Sequence, residues 1–415
     1  MELKEKIQLK EAKVAVIGLG YVGLPLAEEI QKNGFKVTGI EKDEQSLKRA
    51  KEKAKGKFKV SSEYRVLKDA DIIIITVPTP LTKAHEPDLS DVISAVNSAA
   101  QNLKKQQLII LESTTYPGTT DEILLPKLNE NGLKVGQDFY LAYSPERIDP
   151  TSNKYKVKNI PKLVSGVTDT CQQLAHNFYQ QFINEIIPVS STKAAEMAKL
   201  LENIFRSVNV ALVNELALLC DRMKIDVWEV VKAASTKPFG FMSFKPGPGL
   251  GGHCVPIDPF YLSWKAREYE FHTEFIELAG KVNQNMPYYV VERIVRALND
   301  HEKYIAGAKV LILGISYKKD IDDVRESPAV RVIELLKEQG AQISYHDKYV
   351  PEINIAGVRY KSLPLNKKSI KEHDLLAIIA NHSNVDYKLV AKEGKLILDT
   401  RNVLDGFNDS NIVRI

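Results

Sequence analysis

Val14-Ala15-Val16-Ile17-Gly18-Leu19-Gly20-Tyr21-Val22-Gly23-Leu24-Pro25-Leu26-Ala27 decides the fold. A β-branched run leads into three glycines spaced G-x-G-x-x-G, and an apolar, helix-compatible stretch follows. That order is a strand, a tight turn and a helix start, the geometry that holds a dinucleotide pyrophosphate against backbone N–H groups. Alone the glycines are a weak signal, since glycine-rich turns arise by chance. Val37-Thr38-Gly39-Ile40 then leads into Glu41, an acid at the distance where a second strand ends. Glu41 is suited to accept hydrogen bonds from adenosine ribose hydroxyls and to repel a 2′-phosphate, which favours NAD over NADP. Gly18, Gly20, Tyr21, Val22, Gly23 and Glu41 are therefore the candidate cofactor residues. A tight βα turn with an incidental acid is the plainer alternative, and the combined context disfavours it.

Outward from this turn the same alternation continues. Strand-like runs at 13–17, 36–40, 71–77, 108–112 and 139–143 are almost continuously Val, Ile and Leu, as strands buried on both faces of a parallel sheet must be. Helical stretches at 24–33 and 90–103 fit between them. From about Ser190 the pattern turns helical. Ala194, Ala198, Leu201, Phe205, Val208 and Leu212 make an apolar stripe of helical period, with Ser191 or Thr192 as N-cap, and the stripe is expected to face the core. A second helical stretch, 259–299, is expected to break at Pro287. After Gly307 strands return at 309–316, 342–347, 375–380 and 395–399, with Ser327-Pro328 opening a helix that Gly340 closes. The expectation is an α/β chain with two Rossmann-like, doubly wound parallel-sheet domains joined by a central helical domain with a long helix. Its domains would be 1–190, 191–300 and 301–415.

With 415 residues, 44% hydrophobic and 27% charged, the chain has the composition of a multidomain globular protein. Its three cysteines, Cys171, Cys220 and Cys254, include no CxxC pair. A disulfide framework and a thiolate metal site are not expected, and a reducing compartment is. The opening Met1-Glu2-Leu3-Lys4-Glu5-Lys6 is charged, and no apolar run reads as long enough to cross a bilayer, so a cytoplasmic protein is expected. A net charge of +4 is too small to argue for nucleic acid.

Cys254 ends the stretch Lys245-Pro246-Gly247-Pro248-Gly249-Leu250-Gly251-Gly252-His253-Cys254. Cys171 and Cys220 lie in helical apolar patterns and read as buried hydrophobes. Cys254 instead follows four glycines and two prolines, in a loop that can press its backbone against a ligand. A flexible linker with an incidental thiol is the bland alternative. A thiol reacts as its thiolate and needs polar helpers. Lys199 and Asn203, four residues apart, share one helix face and are candidates, although a lysine beside a core stripe can equally be a snorkelling surface residue.

Taken together, Gly251-Gly252-His253-Cys254-Val255-Pro256-Ile257-Asp258, Lys199-Leu200-Leu201-Glu202-Asn203, Ser144-Pro145-Glu146, Glu112-Ser113-Thr114, Gly314-Ile315-Ser316-Tyr317-Lys318 and Asp323-Val324-Arg325-Glu326-Ser327-Pro328 resemble the UDP-glucose/GDP-mannose dehydrogenase family, in order and over nearly the whole chain. The likeness is greatest to its UDP-N-acetylglucosamine 6-dehydrogenase branch. The resemblance implies a four-electron oxidation of a UDP-N-acetylhexosamine at C6, with two NAD used in succession. Cys254 would capture the aldehyde as a thiohemiacetal that becomes a thioester. Lys199, Asn203 and Thr114 would stabilise oxyanions or position water, Asp258 would act with Lys199 in the alcohol step, and Glu146 would serve hydrolysis. Lys245, Gly251, Lys318, Arg401 and Arg147, with Lys199 and Asn203, would meet the substrate, while Thr79 and Arg325 would join the cofactor set. A charged loop is the bland reading of Lys318 and Arg325. Glu41 departs from the aspartate common in the family. A homodimer through the long helix is implied as well.

The resemblance leaves the sugar open between UDP-N-acetylglucosamine, its N-acetylmannosamine epimer, UDP-GalNAc and UDP-glucose. Two other classes compete. A two-electron hydroxy-acid dehydrogenase would need neither a nucleophilic cysteine nor a second α/β domain. A non-catalytic nucleotide-sensing protein would have no use for Cys254, Lys199, Asn203 and Asp258 together.

Overall fold

The computed structural model describes residues 1–82, 84–130, 132–148, 155–253, 255–407 and 409–415. Its contacts divide the chain into two compact units, 1–202 with 260–272, and 203–259 with 273–415.

The first unit is built on one eight-stranded sheet. Its strands are β1 (Lys13–Ile17), β2 (Lys36–Ile40), β3 (Lys59–Ser61), β4 (Ile72–Ile75), β5 (Leu108–Leu111), β6 (Tyr140–Tyr143), β7 (Lys162–Gly166) and β8 (Ile186–Pro188). They run in the order β3-β2-β1-β4-β5-β6-β7-β8. The order reverses between β1 and β4, which opens the crevice where ligands of such sheets bind. Helices Gly23–Lys32, Ser90–Gln101 and Asp169–Tyr179 follow strands in the chain. Val14, Val16, Ile72, Ile74, Leu108 and Ile110 meet Leu26, Ile30 and Phe178 in one core, each large aliphatic contributing roughly 1.5–3 kcal/mol by burial. Two strands depart from the parallel pattern: β7 runs antiparallel to β6, pairing Tyr143 with Ser165 and Ala142 with Gly166, and β8 follows the direction of β7.

The second unit carries a five-stranded parallel sheet of β9 (Lys309–Leu313), β10 (Gln342–His346), β13 (Leu375–Ile378), β14 (Ile397–Asp399) and β15 (Ile412–Arg414), ordered β10-β9-β13-β14-β15. A small antiparallel ribbon, β11 (Glu352–Ile355) with β12 (Val358–Lys361), follows β10. Ser327 caps helix Pro328–Glu338 by accepting from the Ala329 N–H, and proline at the first position fits the helix start.

Three expectations need correction. The long helix runs from Thr192 to Met223, but its apolar stripe does not face a core: Leu201 is 62% and Leu212 55% exposed, and Phe205 is exposed too. Its buried side mixes Leu200, Ile204, Ala211 and Ala217 with the polar Glu196, Lys199, Asn203, Ser207 and Asn214. Four of the polar groups can be buried because they are partnered, Glu196 by Thr120 and Gly118, Asn203 by Asp258, Ser207 by Asn283, and Asn214 by Asn283 and the Gly247 N–H.

Pro287 breaks nothing, since helix Glu274–Asn299 runs through it. Proline lacks the N–H that would bond the Asn283 carbonyl. A Cβ on Gly249 would stand 3.2 Å from that oxygen and 3.5 Å from Pro287 Cδ, so the glycine loop packs where a helix hydrogen bond is missing. The interruption lies earlier, at the 3₁₀ turn Arg267–Tyr269 and Glu270, whose φ is +56°. Finally, by length and composition the helix Thr192–Met223 is apolar enough to cross a bilayer, although 44% of its most apolar window is buried inside the protein. Scattered polar residues hide this in the sequence.

Candidate active site

The glycine turn is explained by what surrounds it. Gly18 has φ +89°, and a Cβ there would lie 2.8 Å from the Thr76 carbonyl oxygen. A Cβ on Gly23 would sit 1.9 Å from the Gly18 carbonyl oxygen and 2.4 Å from Thr76 Oγ1. That hydroxyl donates to the Gly18 carbonyl at 2.8 Å, tying the turn to the end of β4. Gly20 differs, because nothing lies within 4 Å of its Cβ position. Two glycines thus close the turn and the third leaves open space beside the N-terminus of helix Gly23–Lys32. Glu41 directly follows β2, and one of its oxygens accepts from the Leu19 N–H at 2.9 Å, inside the turn. The other accepts from the Lys42 and Asp43 N–H groups at 2.9 and 3.2 Å. Tyr21 carries the Arg49 guanidinium 5.3 Å from its ring centroid, half-exposed Val22 precedes the helix, and Thr79 is buried just past β4. Open space at Gly20, N–H groups at a helix start and a fixed carboxylate fit a dinucleotide.

Glu146 follows the end of β6 and is buried, its Oε1 accepting the Arg147 N–H at 2.6 Å and also the Ile148 N–H. Beside it Lys162 opens β7, also buried, with Nζ 2.9 Å from Glu112 and 3.7 Å from Glu146. Tyr179 donates to the other Glu112 oxygen and its ring lies under the ammonium, 4.9 Å away. Burial pushes Glu112 well above the ordinary carboxylate range, Lys162 opposes this and Glu146 reinforces it. Burial alone would lower Lys162, but Glu112 and Glu146 outweigh it and hold the ammonium above its usual value. Arg147 donates to the Pro161 carbonyl at 2.8 Å and pairs with Glu202, while Thr114 is half-exposed.

Lys199 is 8% exposed and Asn203, one turn later on the same helix, 6%. In the second unit the Asn203 carboxamide donates to Asp258 at 2.5 Å. Asp258 begins the helix Asp258–Ala266, four residues after Cys254 in the chain. Cys254 itself, like Asp149 and Pro150 of the 147–150 stretch, lies outside the described residues.

The glycine loop before it is docked rather than loose. The Gly247 N–H donates to Asn214 at 2.9 Å, and a Cβ there would meet Arg401 Nη1 at 2.9 Å. At Gly251 a Cβ would come within 2.5 Å of Tyr317 Cβ, and the Gly252 N–H donates to the Arg325 carbonyl at 3.0 Å. Arg401 donates through Nε to the Ile379 carbonyl at 2.8 Å. Burial lowers its pKa to about 10, which leaves it a cation at neutral pH. Lys318 is half-buried, Lys245 exposed, and Arg325 forms a forked pair with Asp323, 2.7 Å at the shortest. Among the described residues no cluster of His, Cys, Asp and Glu could hold a metal ion.

Three stretches match models of one family: its NAD-binding domain over 12–55 and 44–183, its central domain over 193–285 and its UDP-binding domain over 311–406. The chain belongs to the UDP-glucose/GDP-mannose dehydrogenase family. It is an NAD-dependent nucleotide-sugar dehydrogenase, with an NAD-binding N-terminal domain, a central helical domain and a UDP-binding C-terminal domain. Among its relatives, a UDP-N-acetyl-D-glucosamine 6-dehydrogenase of Pseudomonas aeruginosa is 36% identical, over 96% of this chain and 98% of that protein. A UDP-N-acetyl-D-mannosamine dehydrogenase of Methanocaldococcus jannaschii is 34% identical, over 95% and 93%. The solved structure of the UDP-D-ManNAc dehydrogenase of Pyrococcus horikoshii superposes with a TM-score of 0.86 at 31% identity, covering 97% of this chain and 99% of that one.

Sequence reasoning had passed over two members of the buried cluster in this dehydrogenase, Lys162 and Tyr179, and had quoted Glu112 without giving it a role. The available signal was a charged residue opening the apolar run Lys162-Leu163-Val164.

Proposed function

We propose that the enzyme oxidises the C6 hydroxymethyl of UDP-N-acetylglucosamine to the uronate, by four electrons and through covalent capture on Cys254. The Asn203–Asp258 bond carries this reading, because it fixes an amide donor and a carboxylate next in the chain to the cysteine-bearing loop. NAD, held by Gly18, Gly20, Tyr21, Val22, Gly23, Glu41, Thr79 and Arg325, supplies the hydride acceptor at each oxidation level. Asp258 with Lys199 takes the hydroxyl proton as C6 loses its first hydride. The Cys254 thiolate adds to the aldehyde carbon, and the thiohemiacetal loses a second hydride to become a thioester. Lys199, Asn203 and Thr114 donate to the oxygen that gains charge in each step. Glu146 takes a proton from the water that cleaves the thioester, releasing the acid and the thiol.

Residues 1–190 hold the cofactor in this scheme, 191–300 the helical core and 301–415 the nucleotide. Half-buried and cationic, Arg401 suits a diphosphate by its forked donors, and Lys318, Lys245, Arg147 and Gly251 complete the substrate set. Relatives named for the glucosamine and mannosamine substrates are nearly equally similar, which supports UDP-N-acetylmannosamine as a second reading. The exposed apolar face of the long helix supports a homodimer, and two free buried cysteines suit the cytoplasm.

The deciding assay incubates the enzyme with NAD and, separately, UDP-N-acetylglucosamine, UDP-N-acetylmannosamine, UDP-N-acetylgalactosamine and UDP-glucose. Two NADH per sugar with the first substrate are expected, and preference for another sugar replaces the assignment. Cys254→Ser should abolish acid formation; a near-normal yield of acid would sink covalent capture.

A further inference from the structure

The antiparallel strand β7 has a chemical consequence. Parallel strands deliver their C-terminal ends to the ligand-binding edge of a sheet. Because β7 runs the other way, its first residue reaches that edge instead. The register pairs Tyr143 with Ser165, so Lys162 lies beyond the end of β6, beside Pro145 and Glu146. Its Nζ is 3.4 Å from the Pro145 carbonyl oxygen. Glu112 follows the end of β5 at the same edge, and Tyr179 ends the helix Asp169–Tyr179. The result is an ammonium between two carboxylates, all three buried, and of the three only Glu146 has a part in the steps above.

We propose that Lys162 is a positioning residue for Glu146, and that Glu112 with Tyr179 forms the seat that holds this lysine in place. The inference rests on the reading of Glu146 as the base in thioester hydrolysis. A base must stay ionised and aimed, and Glu146 is aimed by the Arg147 and Ile148 N–H groups on one oxygen and by Lys162 near the other. The groups facing it are Lys162 from β7, Glu112 from β5, Tyr179 from its helix, and in its own segment Arg147, whose guanidinium is committed to Glu202. Glu112 holds a proton more readily than an ordinary carboxyl, because of its burial, which leaves the lysine charge to Glu146. Removing that charge leaves Glu146 held on one oxygen only, so hydrolysis should slow while the two oxidations proceed.

The test is single-turnover kinetics with NAD and the UDP-N-acetylhexosamine that the enzyme oxidises, on Lys162→Met, Lys162→Met/Glu112→Gln, Lys162→Arg and Glu146→Gln. The double variant avoids stranding a buried carboxylate. Both Lys162→Met proteins are expected to make the thioester at the wild-type rate and to hydrolyse it about ten- to a hundredfold more slowly, below the full effect of losing a general base. The sugar-acyl enzyme should accumulate in mass spectra. Lys162→Arg should restore most of the rate. If Glu146→Gln stalls hydrolysis while the double variant keeps the wild-type hydrolysis rate, Lys162 has no such role. Loss of NAD binding in the double variant along with hydrolysis would make the cluster merely structural and overturn the proposal. Normal hydrolysis by Glu146→Gln would instead refute the reading of Glu146 on which it rests.

Discussion

Two glycines six and three residues after Ile17, in the dinucleotide turn, predict opposite failures. Gly23→Ala puts a methyl 1.9 Å from a backbone oxygen that cannot swing away. The turn must open, so stability should fall by about 1–3 kcal/mol and NAD affinity with it, as read by urea melts and by titration. Gly20→Ala meets no protein atom within 4 Å. It should melt like the wild type and lose only NAD affinity, and equal melting defects in the two variants would contradict the cradle geometry. Asn203→Leu tests the other end of the chemistry. It deprives Asp258 of its 2.5 Å donor, and kcat should drop about a hundredfold while NAD affinity holds. The glycine pattern and Glu41 were readable because a turn that admits a phosphate restricts residue type. No such restriction marks Thr76, whose hydroxyl locks the turn from β4.

At the scale of elements, the long helix reverses the usual logic of amphipathic packing. Its apolar period is plain in the sequence, but Met197, Leu201, Phe205, Leu212, Leu216, Leu219 and Met223 are exposed in the single chain. A row of seven large apolar side chains on one helix is the composition of an interface. Leu212→Glu with Phe205→Asp should therefore convert a homodimer to monomer in light scattering, while each chain keeps its far-ultraviolet circular dichroism. A wild-type monomer at micromolar concentration would count against this. Periodicity identifies a stripe without saying whether its cover comes from the same chain. It also cannot reveal that the opposite face is buried together with its polar residues, because that depends on partners such as Thr120, Asp258 and Asn283, which are distant in sequence.

For the molecule as a whole, one buried carboxyl sets a pH dependence. Glu196 is fully buried, accepting from Gly118 N–H at 2.6 Å, Thr120 N–H at 2.9 Å and the Thr120 hydroxyl at 2.7 Å. Burial raises it from 4.5 to about 7 despite those donors. Between these values the folded state binds a proton that the unfolded chain does not, so this group makes folding less favourable as pH rises from 4.5 to 7. The effect is at most about 3 kcal/mol. Urea melts at pH 5 and 7.5 should show wild-type stability declining more steeply with pH than that of Glu196→Gln. Parallel slopes would mean that Glu196 titrates as an ordinary surface carboxyl.

By itself the sequence determined five of the eight strands of the larger sheet, four of the five in the smaller parallel sheet, the dinucleotide turn and the shared helix face of Lys199 and Asn203, because each is a local pattern of period, turn residue or helical spacing. Tertiary structure alone decided the reversed strand β7, the buried Glu112–Lys162–Glu146 cluster, the passage of Pro287 through a helix and the side of the long helix that is left uncovered. Each of these depends on which distant residue supplies a hydrogen bond, a counter-charge or a covering surface, and no spacing along one chain encodes that.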